Sequence, residues 1–489
     1  MARAMVVLLL ASACTSQVEA TLQTTTTVLI GIEAPNGLGD DFYPGLGNSG
    51  YDVDHVTLDL EFDPLGPSIS GTATVEAVAT DDLASWSIDL STVSASAVTV
   101  DGESAAFEQT ATELRIITNE PIAKGAAFEM SIAYGGEPSP YDSIAGPFST
   151  GLQRSVDGFY AMSEPDGSSS WFPSNDHPLD KSTYTVSIEV PNPLVAISSG
   201  RLESVEGDRD FSTYTWEVEQ PVASYLLAFA VGNFERQDAD PAGDVEIRNY
   251  FDSDLTTAER AVFDQQDEMI EYFSTVFGDY PFDVYGALVL ETVEVGTALE
   301  TQTMSTFGRQ VLFLGDSVVA HELAHQWFGN SVSITEWRDI WINEGFATYA
   351  QWLWAEHDSG MNARDLEIIQ AYEVISGAIS VRNGTNAAAV AAGQFPPPGL
   401  VQSDDLFNIT VYYRGGLTLH ALRLEIGDDA FFELLRTYTN ELAYGNSSTE
   451  IFIEYAEDAA GRDLTDFFDG WLYDEQMPPI PELRLAPLH

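Results

Sequence analysis

Val318-Val319-Ala320-His321-Glu322-Leu323-Ala324-His325-Gln326-Trp327-Phe328-Gly329-Asn330 places two imidazoles and a carboxylate in a run whose spacing suits an α-helix. Residues four apart share a helix face, so His321 and His325 present two nitrogens to one metal ion. Glu322 then stands next to the ion rather than on it, within reach of a water as general base. The competing reading is a helix whose histidines are merely surface or satisfied core residues. The order H-E-x-x-H favours a metal site, because it sets two ligands and a base on neighbouring positions of one turn.

Zinc at a catalytic site takes three protein ligands and keeps a fourth position open. Glu344 supplies the third, in Trp341-Ile342-Asn343-Glu344-Gly345-Phe346-Ala347-Thr348-Tyr349, a second helical segment, with 18 residues between it and His325. The expected cofactor is one Zn2+ per chain, held by His321, His325 and Glu344.

HELAHQWFGN followed by WINEGFATY resembles the M1 family of zinc aminopeptidases, whose pattern is HExxH, eighteen residues, then Glu in a NEGFA context. The resemblance runs from about Gly50 to the C-terminus. It implies a multidomain α+β chain, with an N-terminal all-β domain followed by a thermolysin-like, mainly helical zinc catalytic domain. Because 145 residues follow Glu344, the chain is similar to a short two-domain form without the large helical C-terminal domain of many members.

The same resemblance assigns roles. Gly296-Thr297-Ala298-Leu299-Glu300-Thr301 is similar to the family's G-A-M-E-N segment, with Thr297, Leu299 and Thr301 departing from it, and implies that Glu300 binds the substrate α-amine. Glu164 in Met162-Ser163-Glu164-Pro165 resembles the Glu of a Q-x-E segment and is the second amine-binding candidate. Met162 there replaces Gln, Ser174 replaces a downstream Cys, and the Arg usual between the two motifs is missing. His177, beside a proline turn, reads as structural. Val411-Tyr412-Tyr413-Arg414-Gly415-Gly416 resembles Y-x-K/R-G, which selects Tyr412 to stabilise the oxyanion, although Tyr412 and Tyr413 could both be core aromatics. Asp339 is a candidate partner for a histidine ring nitrogen. The implied activity is release of N-terminal amino acids from peptides with free N-termini, Glu322 acting as base. A zinc endopeptidase and a non-catalytic peptide-binding protein on the same fold are the alternatives.

Composition bounds the partners. Lys and Arg total 19 against 77 Asp and Glu, a formal charge of −58 over 489 residues, with lysine only at 124 and 181. Such a surface repels nucleic acid and anionic membranes. Met1-Ala2-Arg3 followed by the apolar run Ala4 to Ala13 reads as a signal segment within residues 1–20 and is too short to span a bilayer. Leu10-Ala11-Ser12-Ala13-Cys14 resembles a lipoprotein box, whereas Val18-Glu19-Ala20 offers an ordinary cleavage site, and both readings stand. Either makes the chain extracytoplasmic, secreted or held at the membrane by lipid. Cys14 is the single cysteine, so no intramolecular disulfide forms.

Residues 21–49, rich in Thr, Gly, Asn and Pro, read as a flexible arm. Period-two alternation at Val56, Leu58, Leu60 and Phe62, at Trp86, Ile88 and Leu90, at Phe128, Met130, Ile132 and Tyr134, and again around Tyr184 and Tyr214 predicts half-buried strands over 50–237. Three- and four-residue spacing from Ala258 to Phe277 opens the helical catalytic region, 238–489.

Overall fold

The computed structural model describes residues 31–63, 68–155, 158–291, 297–376 and 395–486. Within them the alternating segments are strands. The largest sheet runs, edge to edge, Arg201–Gly207, Phe211–Ala223, Lys181–Pro191, Tyr51–Asp63, Ser68–Ala79, Ala127–Gly136, Ser94–Val100 and Glu103–Ser104. Along Lys181–Pro191 the buried positions are Ser182, Tyr184, Val186, Ile188 and Val190, every second residue. Burying a Val or Ile fully is worth roughly 1.5–3 kcal/mol, and a one-residue slip would turn the whole set to water, so the pattern fixes the register. A four-stranded sheet and a five-stranded sheet complete this β domain.

Two sequence expectations need correction. Residues 31–49 are not a loose arm: Ile32–Glu33 pairs with the strand Leu83–Asp89, and Asp40 is buried. Asp40 accepts from the Phe42 N–H at 2.6 Å and from the Trp337 N–H at 2.8 Å, and faces His177 Nε2 at 3.3 Å. That junction joins the arm, the β domain and the catalytic domain through polar contacts, which leave no hydrophobic period to read. It also accounts for His177 as a structural residue. Residues 21–30 and the 1–20 segment lie outside the described residues. The domain boundary moves as well, because Phe234–Asp238 pairs with Glu246–Asp252 and so belongs to the second sheet.

That second sheet orders Phe234–Asp238, Glu246–Asp252, Ala287–Leu290, Ser305–Gly308 and Ala298–Leu299. Helices pack against it and one another: Gln266–Phe277, Asp316–Ala324, Trp341–Ser359, Met361–Ile375, Ile409–Ile426, Asp428–Glu441 and Thr449–Ala460. No helix among the described residues is long and apolar enough to cross a membrane.

The helices Trp341–Ser359 and Ile409–Ile426, which carry Glu344 and Tyr412, approach through glycine. A Cβ on Gly345 would meet the Gly415 Cα at 2.9 Å, closer than packed carbons allow. Gly345→Ala therefore forces the two helices apart, and overpacking of this kind costs about 2 kcal/mol. Denaturant unfolding reads it; an unchanged midpoint would contradict the close crossing.

Candidate active site

The metal-site helix ends at Ala324, and His325, at its C-cap, keeps helical angles and donates its N–H to the His321 carbonyl at 3.3 Å. The four-residue spacing therefore still puts both imidazoles on one side, with ring centroids 4.8 Å apart. Glu344, in the first turn of the following long helix, brings Oε2 to 3.2 Å from His321 Nε2 and 3.6 Å from His325 Nε2. One ligand atom from each of the three lies within 4.8 Å of the others. Tetrahedral zinc with bonds of about 2.0–2.1 Å separates its ligands by roughly 3.4 Å, and the Glu344 separations of 3.2 and 3.6 Å from the two histidines suit that ion.

The ring nitrogens facing away are held. His321 Nδ1 lies 3.1 Å from Gln351 Oε1, whose Nε2 donates to Ser317 Oγ, and His325 Nδ1 lies 3.0 Å from the Phe328 carbonyl. Donating Nδ1–H to those oxygens leaves both Nε2 lone pairs aimed at the ligand position. Asp339 does not take part, correcting the sequence expectation: it accepts from Thr449 Oγ1 at 2.6 Å, which in turn accepts from Trp341 Nε1. In a chain so rich in acids, proximity in sequence could not single out the partner. Gln351 was missed, although seven residues beyond Glu344 it shares that helix face; the Phe328 carbonyl, being backbone, carries no sequence signal.

Glu164, Glu300, Glu322 and Tyr412, together with His321, His325 and Glu344, line one cavity of about 780 Å³ between the domains. Glu164 follows the strand Phe159–Met162 of the β domain, and Glu300 follows Ala298–Leu299 at the edge of the catalytic sheet. Carboxylate oxygens of Glu164, Glu300 and Glu344 lie within 4.8 Å of one another, and those of Glu300 and Glu322 within the same distance of His325. Among the described residues Glu164 Oε1 and Glu300 Oε1 are buried without a hydrogen-bond partner. Tyr412 stacks on His321, centroids 6.1 Å apart and planes at 22°, whereas Tyr413 does not line the cavity.

Burial and mutual repulsion set the charges. Burial, then Glu300 and Glu344, holds Glu322 well above the carboxylate range against the opposing pull of His325. Glu164 is likewise raised, by burial and then by Glu300, Glu344 and Glu322. Burial opposes charge on Glu344 too, but His325 and His321 overcome it and bring the group down to about 2. Burial lowers His321, while at His325 the field of Glu300 and Glu344 outweighs burial and raises the imidazole to about 10. Tyr412 is pushed well above 10 by burial and by the same acids, so its hydroxyl stays a donor. The cavity is a sink for positive charge.

A β domain joined to a helical domain that presents two histidines and a glutamate to a common point defines a two-domain metallopeptidase fold. The chain belongs to peptidase family M1: residues 261–471 match the peptidase family M1 domain and residues 50–226 the peptidase M1 N-terminal domain. An M1 zinc metallopeptidase from Deinococcus radiodurans, solved as a substituted form bound to a Tyr-Ser-Ala substrate, superposes with a TM-score of 0.82 at 30% identity, covering 92% of this chain and 100% of that one. A two-domain M1 zinc metallopeptidase bound to L-arginine gives 0.82 at 29% identity, covering 93% and 100%. Bos taurus aminopeptidase N is 26% identical over 396 residues, covering 74% of this chain and 40% of the relative. The chain thus spans about two fifths of the length of that curated relative. The short two-domain form expected from the sequence agrees with the solved structures.

Asp339 generates a pH prediction. Burial, then Glu450 and Glu336, lifts it from 3.8 to about 6 despite the Thr449 hydrogen bond. The folded state thus holds this proton more tightly than the unfolded chain, so the contribution of Asp339 to stability is fully present below about pH 4 and is lost as pH rises through about 6, by about 3 kcal/mol. Asp339→Asn keeps an acceptor for Thr449 and should remove that slope. Unfolding free energies of both proteins between pH 4 and 7 check it; parallel curves would contradict the assignment.

Proposed function

We propose that this chain is a zinc aminopeptidase that releases N-terminal residues from peptides. The observation that carries the reading is the convergence of Glu164 and Glu300, from different domains, on one side of the His321–His325–Glu344 set, each with a buried carboxylate oxygen lacking a partner. A protonated α-amine satisfies both. It also supplies positive charge where several acids are crowded, and charge-assisted bonds of this kind are about twice as strong as neutral ones.

His321, His325 and Glu344 would hold zinc, one ion per chain. When bound, zinc supplies Lewis-acid polarisation of the scissile carbonyl and lowers the pKa of water at the site. Glu322, its proton affinity raised by burial, accepts the proton of the attacking water and returns it to the leaving amine. Tyr412 donates its hydroxyl to the oxygen on which negative charge develops. Glu164 and Glu300 fix the N-terminus, so that the first peptide bond is the one presented to Glu322 and Tyr412. An endopeptidase would leave those two acids without a task, which is why this reading is preferred.

The remaining lining bears on the side chain of the first residue. Phe148, Phe407, Met162, Leu299 and Pro140 are apolar, and among the described residues no lysine or arginine lines the cavity. Large apolar residues gain buried area there, and acidic ones meet the repulsion of the crowded glutamates. For place, the Ala4 to Ala13 run supports export, with the mature chain beginning at a lipid-modified Cys14 or after Ala20; the mass of the isolated chain separates the two.

Hydrolysis of free amino-acid arylamides beside their N-acetylated counterparts, with and without a zinc chelator, tests the activity. Chelator-sensitive cleavage of the free compounds is expected, with Phe, Leu and Met above Asp and Glu by at least about tenfold, roughly 1.4 kcal/mol. Glu322→Gln should retain zinc yet lose turnover by about 10³-fold. Cleavage of blocked compounds at comparable rates would remove Glu164 and Glu300 from their roles.

A further inference from the structure

Two polar residues of the HELAHQWFGN stretch are buried yet do not line the cavity: Gln326 and Asn330. Both turn away from the metal ligands and take hold of the same atom. Asn330 Nδ2 donates to the Glu300 carbonyl at 2.7 Å, and Gln326 Nε2 donates to it at 3.2 Å. Gln326 also accepts from the Thr303 N–H at 2.8 Å, at a residue whose φ of +64° is costly for a side chain as branched as threonine's. The segment 300–303, which carries Glu300, is therefore held in a strained course by the end of the metal-site helix.

The β domain grips the other side. Lys181, one of only two lysines in the chain, begins the strand Lys181–Pro191 and directs Nζ at the carbonyls of Asn330 at 2.8 Å and Ser331 at 3.0 Å. The Asn330 N–H in turn donates to the His325 carbonyl at 3.0 Å. On the far side, the Gln302 N–H donates to the Leu226 carbonyl at 2.9 Å and the Gly200 N–H to Thr303 Oγ1 at 2.7 Å. A continuous set of hydrogen bonds thus runs from the β domain, which carries Glu164, through Asn330 to Glu300, with a branch to the ligand His325.

We propose that Asn330 and Gln326 are positioning residues that, with Lys181 reaching from the β domain, set the Glu300 carboxylate at the depth where it meets Glu164, so that recognition of a free N-terminus depends on a hydrogen-bond chain spanning both domains. The proposal rests on the reading of Glu300 as an amine-binding group. A carboxylate displaced by 1 Å loses most of its contribution to orientation while the metal ligands, held separately by Gln351 and the Phe328 carbonyl, keep theirs.

The test isolates the amine. Calorimetric Kd values of the zinc-loaded full chain are measured for an amino-acid hydroxamate and for its des-amino analogue, which binds metal equally but lacks the ammonium. The des-amino Kd divided by the hydroxamate Kd is independent of the fraction of folded protein, so it remains readable in a destabilised variant. Asn330→Ser, too short to reach the Glu300 carbonyl, should lower the ratio about tenfold, roughly the worth of one charge-assisted hydrogen bond, with the des-amino Kd and the zinc content unchanged. Lys181→Met should lower it in the same direction by a smaller factor, and Lys181→Arg should restore it in part. Glu300→Gln is the control. If Glu300→Gln lowers the ratio and Asn330→Ser and Lys181→Met leave it within twofold, the positioning chain is overturned and the amine reading stands. If only Lys181→Met leaves it unchanged, the domain-spanning part is overturned. If Glu300→Gln itself leaves it unchanged, the amine reading fails and the inference with it.

Discussion

Four glutamates share one buried cavity, and they cannot all be ionised there without cations. An unpaired buried carboxylate is so costly that the group protonates instead, and the raised values of Glu164, Glu300 and Glu322 are that response in the protein by itself. His325 answers in the opposite sense, drawn upward by the same field. A divalent ion on His321, His325 and Glu344 and an ammonium between Glu164 and Glu300 would together supply the missing positive charge. Cofactor and substrate are in this sense demanded by one electrostatic imbalance.

Holding that imbalance in place requires both domains. Glu164 comes from the β domain, Glu300 from the edge of the second sheet, the metal ligands from two helices, and Tyr412 from a third. The helices meet through Gly345 and Gly415, near enough that the crossing tolerates no Cβ. The Asp40 junction with His177 and the Trp337 N–H fixes the β domain against the segment leading into the Glu344 helix. Lys181 adds a second tie directly behind the metal-site helix. Repulsive charges are thereby kept in register by contacts lying outside the cavity.

Which parts were legible follows from the range of the interactions. His321, His325 and Glu322 could be placed from helical spacing alone, because their relation is local and set by 3.6 residues per turn. Glu344 needed the choice of one acid among 77 Asp and Glu, and Glu164, Glu300 and Tyr412 rested on resemblance. The structure brings all seven to one cavity. The Asp339 assignment failed because many acids lie near in sequence and none is marked by spacing. Gln351 escaped notice as an uncharged residue on a helix already accounted for. The packed course of residues 31–49 was hidden for a different reason: its key contact, from Asp40 to the Trp337 N–H, joins positions 297 apart in sequence. In the β domain, by contrast, alternation sufficed, since one buried face determines the strand.

The central claim is that the carboxylate cavity is completed by one metal ion and one ammonium, and the unfolding temperature of metal-stripped protein titrated with zinc tests it directly. The account predicts a rise that saturates at one equivalent, with a further rise on adding a free amino acid and none on adding its N-acetylated form. No rise with zinc, or equal rises with the free and acetylated compounds, would contradict it.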